Sequence, residues 1–170
     1  LLNESNITLK FPDQNWFRFQ DCTGYQQLSG NHFKEMDVCW HDISNKMFWA
    51  IELKDFSGAD LTQPEKHEKR VFDILKKAVD SLQMILAFKF KTPYADKSLL
   101  LCFPNFPLNP SEIKLVIIIN CSEAQASTIQ HLNDAFKSRF FPYAKIWGIK
   151  HYFIITKDQA IRKISQFTVS

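Results

Sequence analysis

Four charged side chains, Glu35, Asp37, Glu52 and Lys54, lie within HFKEMDVCWHDISNKMFWAIELKDF, residues 32 to 56, in two runs otherwise rich in Met, Val, Trp, Phe, Ile and Leu. Side chains alternate along a strand, so Glu35 and Asp37 share one face of the first run and Glu52 and Lys54 share one face of the second. The polar residues of DISNK between the runs predict a hairpin, with strands over about 33–41 and 47–55. With the turn centred on Ser44 and Asn45, paired positions sum to 89, which sets Asp37 opposite Glu52 and Glu35 opposite Lys54. Like charges directly opposed across a ladder, with Cβ atoms about 4.5–5.5 Å apart, are destabilising and need a compensating charge.

A divalent cation supplies that charge. Mg²⁺ prefers oxygen ligands and is usually held by one or two carboxylates together with substrate phosphates and water. A lysine two residues beyond the second carboxylate projects toward the same place, where its ammonium can hydrogen-bond water or a phosphate oxygen. The plainer reading is a solvated hairpin face carrying a Glu35–Lys54 ion pair worth under ~1 kcal/mol. Phe33, Cys39, Phe48 and Ala50 share that face, and such a mixture of apolar and acidic groups suits the floor of a cleft better than a washed surface.

The elements that must position these residues follow from periodicity. Thr62 with Glu65 forms a capping-box pattern with Pro64 in the first turn, and Phe72, Leu75, Val79, Leu82 and Leu86 recur at helical spacing, predicting one long amphipathic helix. The proline-rich TPYADKSLLLCFPNFPLNPSE cannot continue it and reads as a loop, with a short extended piece at Leu99 to Phe103. IKLVIIIN, residues 113–120, is apolar on both faces and predicts a strand covered on both sides. A second capping-box pattern, Ser122 with Gln125, opens a helix with the stripe Ile129, Leu132, Phe136 and Phe140, and HYFIIT returns as a strand. Upstream, NITLKF and WFRFQD read as extended. Hairpin, helix, strand, helix, strand predicts an α/β domain, a mixed central β-sheet flanked by helices.

Asp37, fourteen residues, then Glu52-Leu53-Lys54 on the next strand and a helix after it resembles the core of the PD-(D/E)XK nuclease superfamily, over about residues 30–120. The resemblance implies a restriction-endonuclease-like fold in which Asp37 and Glu52 ligate Mg²⁺ or Mn²⁺, the backbone carbonyl of Leu53 is a further ligand, and Lys54 positions or activates the attacking water. It implies metal-dependent hydrolysis of phosphodiester bonds in DNA or RNA. Met36 stands where the family's name puts Pro. The acid that the family often carries upstream has four candidates, Glu4, Asp13, Asp21 and Glu35, with none singled out. Glu35 and Gln83 are the auxiliary candidates for the site, and Lys66 and Lys69 are further choices on the long helix. The basic run KHEKR, with Lys66, Lys69 and Arg70, and Lys76 and Lys77 beyond it, is the candidate phosphate-contacting stretch.

The 170 residues suit one domain, with its core over about 30–160, and 45% hydrophobic with 23% charged residues is the composition of a folded chain. A formal charge of +3 mildly favours anionic partners. With only 4 Gly there is no glycine-rich phosphate loop, which disfavours nucleotide-binding classes. Cys22, Cys39, Cys102 and Cys121 show no paired or zinc-finger spacing, so neither a disulfide framework nor structural zinc is expected, and an intracellular setting, cytoplasmic or nuclear, is the simpler reading. No apolar run reaches the roughly 18 residues of a membrane span, so no membrane partner is expected. The expected partners are DNA or RNA, with a second copy or a larger protein complex. The rival reading is a catalytically inactive nuclease-like module that binds nucleic acid or assembles a larger complex.

Overall fold

The computed structural model describes residues 1–61, 63–99 and 112–170. Its strands are β1 (Leu2–Glu4), β2 (Ile7–Lys10), β3 (Trp16–Phe17), β4 (Val38–Asp42), β5 (Met47–Asp55), β6 (Glu112–Asn120), β7 (His151–Thr156) and β8 (Thr168–Val169). Its α-helices are α1 (Thr23–Ser29), α2 (Pro64–Lys89), α3 (Ala126–Trp147) and α4 (Lys157–Lys163). Five strands form one sheet in the order β3-β4-β5-β6-β7, antiparallel from β3 to β5 and parallel from β5 to β7. The fold is therefore mixed α/β, as the element order predicts. A smaller antiparallel sheet, β1-β2-β8, brings the two ends of the chain together.

β6 shows why the sheet has two covered faces. Leu115 to Ile119 are all fully buried. Leu115, Ile117 and Ile119 join Cys39, Phe48 and Ala50 in a cluster with α2 and α3, while Val116 and Ile118 join Val38, Trp40, Trp49 and Ile51 in a second cluster with β1, β2, β8 and α4. Burying each such aliphatic side chain contributes about 1.5–3 kcal/mol. This double burial replaces the alternation a half-exposed strand would show. Ser122 and Gln125 form the expected reciprocal cap ahead of α3, and Ile129, Leu132, Phe136 and Phe140 are buried beneath it.

Three expectations are corrected. The inward face of α2 is set by Val71, Ile74, Ala78, Leu82 and Ile85, whereas Phe72, placed in the predicted stripe, is exposed. The face is turned by about one residue because the sheet offers the aliphatic positions its apolar surface and leaves Phe72 to solvent. The first strand of the hairpin begins at Val38 rather than near residue 33, for a reason given below. Cys22 is disulfide-bonded, while Cys39 and Cys121 are free, because spacing along the chain does not register a pair brought together by folding. The Thr62 cap and residues 100–103 of the proposed extended piece lie outside the described residues, and Leu99 ends a π-helical turn. Among the described residues no helix is long and apolar enough to cross a membrane.

Candidate active site

The hairpin has the register expected from its turn: Val38 pairs with Ile51 and Trp40 with Trp49, so Asp37 and Glu52 are next in line. β4 stops there, while β5 runs on through Asp55 beside β6. The edge left open at Leu53 is closed by side chains. Its N–H donates to Asp37 Oδ2 at 2.7 Å, and its carbonyl accepts from the Ser5 hydroxyl at 3.2 Å. A carboxylate thus takes the place of the next ladder acceptor.

Residues 34 to 36 are held by α2 instead of by β5. The Lys34 N–H donates to Asp80 Oδ2 at 2.9 Å and the Met36 N–H to Ser81 Oγ at 2.7 Å. Those two bonds satisfy the backbone groups that a longer β4 would have paired with β5. They also deliver Asp37 to the end of the ladder beneath α2.

Glu52 is completely buried, and Asp37 nearly so. Lys77 reaches down from α2 between them, its Nζ 2.7 Å from Glu52 Oε1 and 3.3 Å from Asp37 Oδ1. Lys54 Nζ lies 2.5 Å from the same Glu52 oxygen. The contacts at Oε1 are close ion pairs rather than aligned hydrogen bonds, and Oε2, equally buried, has no hydrogen-bond partner among the described residues.

This arrangement sets the electrostatics. Burial first, and the neighbouring Asp37 second, push the Glu52 carboxyl up to about 7, against the pull of Lys54 and Lys77. Burial works against the charge on Lys77, but Glu52 and Asp37 outweigh it and hold the ammonium above the ordinary lysine range. The half-buried Glu35 is also raised, chiefly by burial.

Asp37, Glu52 and Lys54 are therefore brought together with the Leu53 carbonyl beside them. Glu35 is not paired with Lys54 as the extended register predicts: its carboxylate accepts from the Tyr25 hydroxyl, because the chain has left the strand by that point. Gln83 is exposed, six residues beyond Lys77, which at 3.6 residues per turn turns it about 240° away from the site. Lys66 and Lys69 are exposed near the start of α2. Arg70 faces the site, lining a pocket of about 190 Å³ together with Lys34, Lys54, Phe56, Asp73 and Lys77.

Of the upstream acids, Glu4 binds Arg18 at 2.5 Å, and Arg18 Nε donates to the Asp37 carbonyl at 3.1 Å, so Glu4 supports the Asp37 backbone without entering the site. Asp13 accepts from the Trp40 indole and the Asn15 N–H. Asp21 lies in a 3₁₀ turn, Phe19–Asp21. Lys77 was visible in the sequence only as a phosphate contact. Its signal is helical spacing: Arg70, Asp73, Lys77 and Ser81 recur at three and four residues, which stacks them along one face of α2.

The donor set suits a hard divalent cation more than zinc. Two carboxylates and a carbonyl offer oxygen only, and no group of three or more His, Cys, Asp or Glu side chains that could hold a metal occurs among the described residues. The unpartnered Glu52 Oε2 is the atom such a cation would satisfy. No protein-family model, curated protein or solved structure matches the chain.

Proposed function

We propose that the chain is a metal-dependent nuclease of restriction-endonuclease-like fold that hydrolyses phosphodiester bonds of DNA or RNA. The observation that carries this reading is the convergence, at the open end of the β4–β5 ladder, of buried Asp37 and Glu52 with Lys54, leaving Glu52 Oε2 without a hydrogen-bond partner among the described residues. Asp37 and Glu52, with the Leu53 carbonyl, would hold Mg²⁺ or Mn²⁺. When bound, the cation would polarise the phosphodiester and lower the pKa of water at the site. Lys54 is partly exposed and spans from Glu52 to solvent, so its ammonium orients the attacking water or a phosphate oxygen. Lys77 holds the two carboxylates in register as a fixed positive charge.

One observation favours the second reading, a non-cleaving module that binds nucleic acid or joins a larger assembly, including a second copy of itself. Lys77 already bridges the two carboxylates, and two ammonium groups against two acids neutralise the site internally. Incubation with single- and double-stranded DNA and RNA plus Mn²⁺, with and without chelator, separates the two readings. Chelator-sensitive cleavage is expected, falling by roughly 100-fold or more in Glu52→Gln and in Lys54→Ala. Cleavage that survives both substitutions would sink the assignment, and salt-sensitive binding without cleavage would select the module.

A further inference from the structure

Arg70 is built into the flank of the site in an unusual way. Its guanidinium carbon sits 5.2 Å from the centre of the Phe56 ring, and its Nη2 donates to the Asp60 carbonyl at 3.1 Å. Those two contacts fix the plane of the fork. Nη1 is buried and has no hydrogen-bond partner among the described residues. A buried donor left unsatisfied is costly, so a small shift of the guanidinium that brings Nη1 to an acceptor entering the pocket would be favourable.

The pocket that Arg70 lines fixes the kind of acceptor. Lys34, Lys54, Arg70 and Lys77 face Asp73 as the one acid, and no described carboxylate forms an ion pair with Arg70. Lys54 and Lys77 are engaged with Glu52, which leaves Arg70, held in place by Phe56 and the Asp60 carbonyl, and the exposed Lys34 as the cations for a ligand. At about 190 Å³ the space is large enough for a single tetrahedral anion and its linkage. Planar guanidinium recognises phosphate oxygens by paired N–H donors, and Lys34 at the mouth adds a point charge.

We propose that this pocket is a phosphate subsite for the backbone of a nucleic-acid strand, with Arg70 as its anchor. The proposal rests on the nuclease reading for the identity of the strand and places one phosphate beside the one presented to Lys54. The subsite needs no metal, so it is tested in chelator. A fluorescein-labelled oligothymidylate of about eight nucleotides is titrated by anisotropy, with inorganic phosphate as competitor. A methylphosphonate oligomer of the same sequence serves as the uncharged control.

Wild type is expected to bind the phosphodiester oligomer, to release it to phosphate, and to bind the methylphosphonate at least about tenfold more weakly. Arg70→Gln is expected to lose about tenfold or more, with a salt slope reduced by about one, Arg70→Lys to lose less, and the distant exposed Lys145→Gln to match wild type. Equal binding by wild type and a folded Arg70→Gln overturns the subsite, as does preferential competition by poly-glutamate. Mn²⁺-dependent cleavage together with unchanged Arg70→Gln binding overturns the subsite alone. Arg70-dependent binding with no cleavage under any metal overturns the nuclease reading alone.

Discussion

Glu52 is a side chain that folding turns into a weaker acid, and the sign of that change can be measured. Its carboxyl rises from about 4.5 to about 7 on burial beside Asp37. The native state therefore binds more protons than the unfolded chain between those values. The associated stability is fully present below about 4.5 and is lost as pH rises through about 7. Urea unfolding is expected to give a lower midpoint at pH 8 than at pH 5, a difference on the order of 1–3 kcal/mol. Glu52→Gln, which cannot ionise, is expected to flatten that dependence, and a wild-type profile already flat over this range would refute it. The charge pattern that led to Asp37, Glu52 and Lys54 was legible because strand alternation fixes facing positions once the turn is known. Lys77 and Arg70 were legible only as basic residues, since nothing local says which turn of a helix will lie over a strand end.

α2 is the element that makes the site, although it contributes no ligand oxygen to it. Asp80 and Ser81 draw residues 34 to 36 off the ladder, and Lys77, one turn earlier, enters the gap that results. Ser81→Ala would leave the buried Met36 N–H without its acceptor. It is expected to destabilise the fold by about 1–3 kcal/mol in urea titration and to reduce cleavage, through displacement of Asp37. An unchanged midpoint would show that the Ser81 bond is dispensable. These contacts join residues 45 and 46 positions apart, which explains why composition alone carried the first strand back to about residue 33. The same long-range docking turned the inward face of α2 onto Val71 and Ile74 and left Phe72 outside. β6 and β7, whose signals are local and strong, were legible with nearly their final boundaries, and α3 begins just past the Ser122–Gln125 pattern that announces it.

Across the whole molecule, the face of the sheet away from α2 is closed by the chain's two ends. Phe167 packs on Phe11, Trp40 and Trp49, with ring centroids 5.3 to 5.7 Å apart, just before β8 pairs with β2. Phe167→Ala is expected to cost about 3–5 kcal/mol in thermal or urea unfolding, a loss on the side of the sheet opposite to the site. A cost below about 1 kcal/mol would mean that the small sheet is an ornament to the fold. A strand of two residues has no periodicity to read, so β8 was invisible in the sequence, whereas Ile7 to Lys10 was already legible as extended. The turn between β1 and β2 uses Ser5 and Asn6, both at positive φ, as the twist of a tight hairpin demands. It sets the Ser5 hydroxyl on the Leu53 carbonyl, next to the point where Asp37 meets the Leu53 N–H. On the nuclease reading Asp37 would thus serve both the chemistry and the seam between two strands. Asp37 therefore closes the Leu53 N–H whether or not the chain cuts, and Lys54 likewise offsets the charge of the fully buried Glu52, so each has work in the fold that is separate from any chemistry.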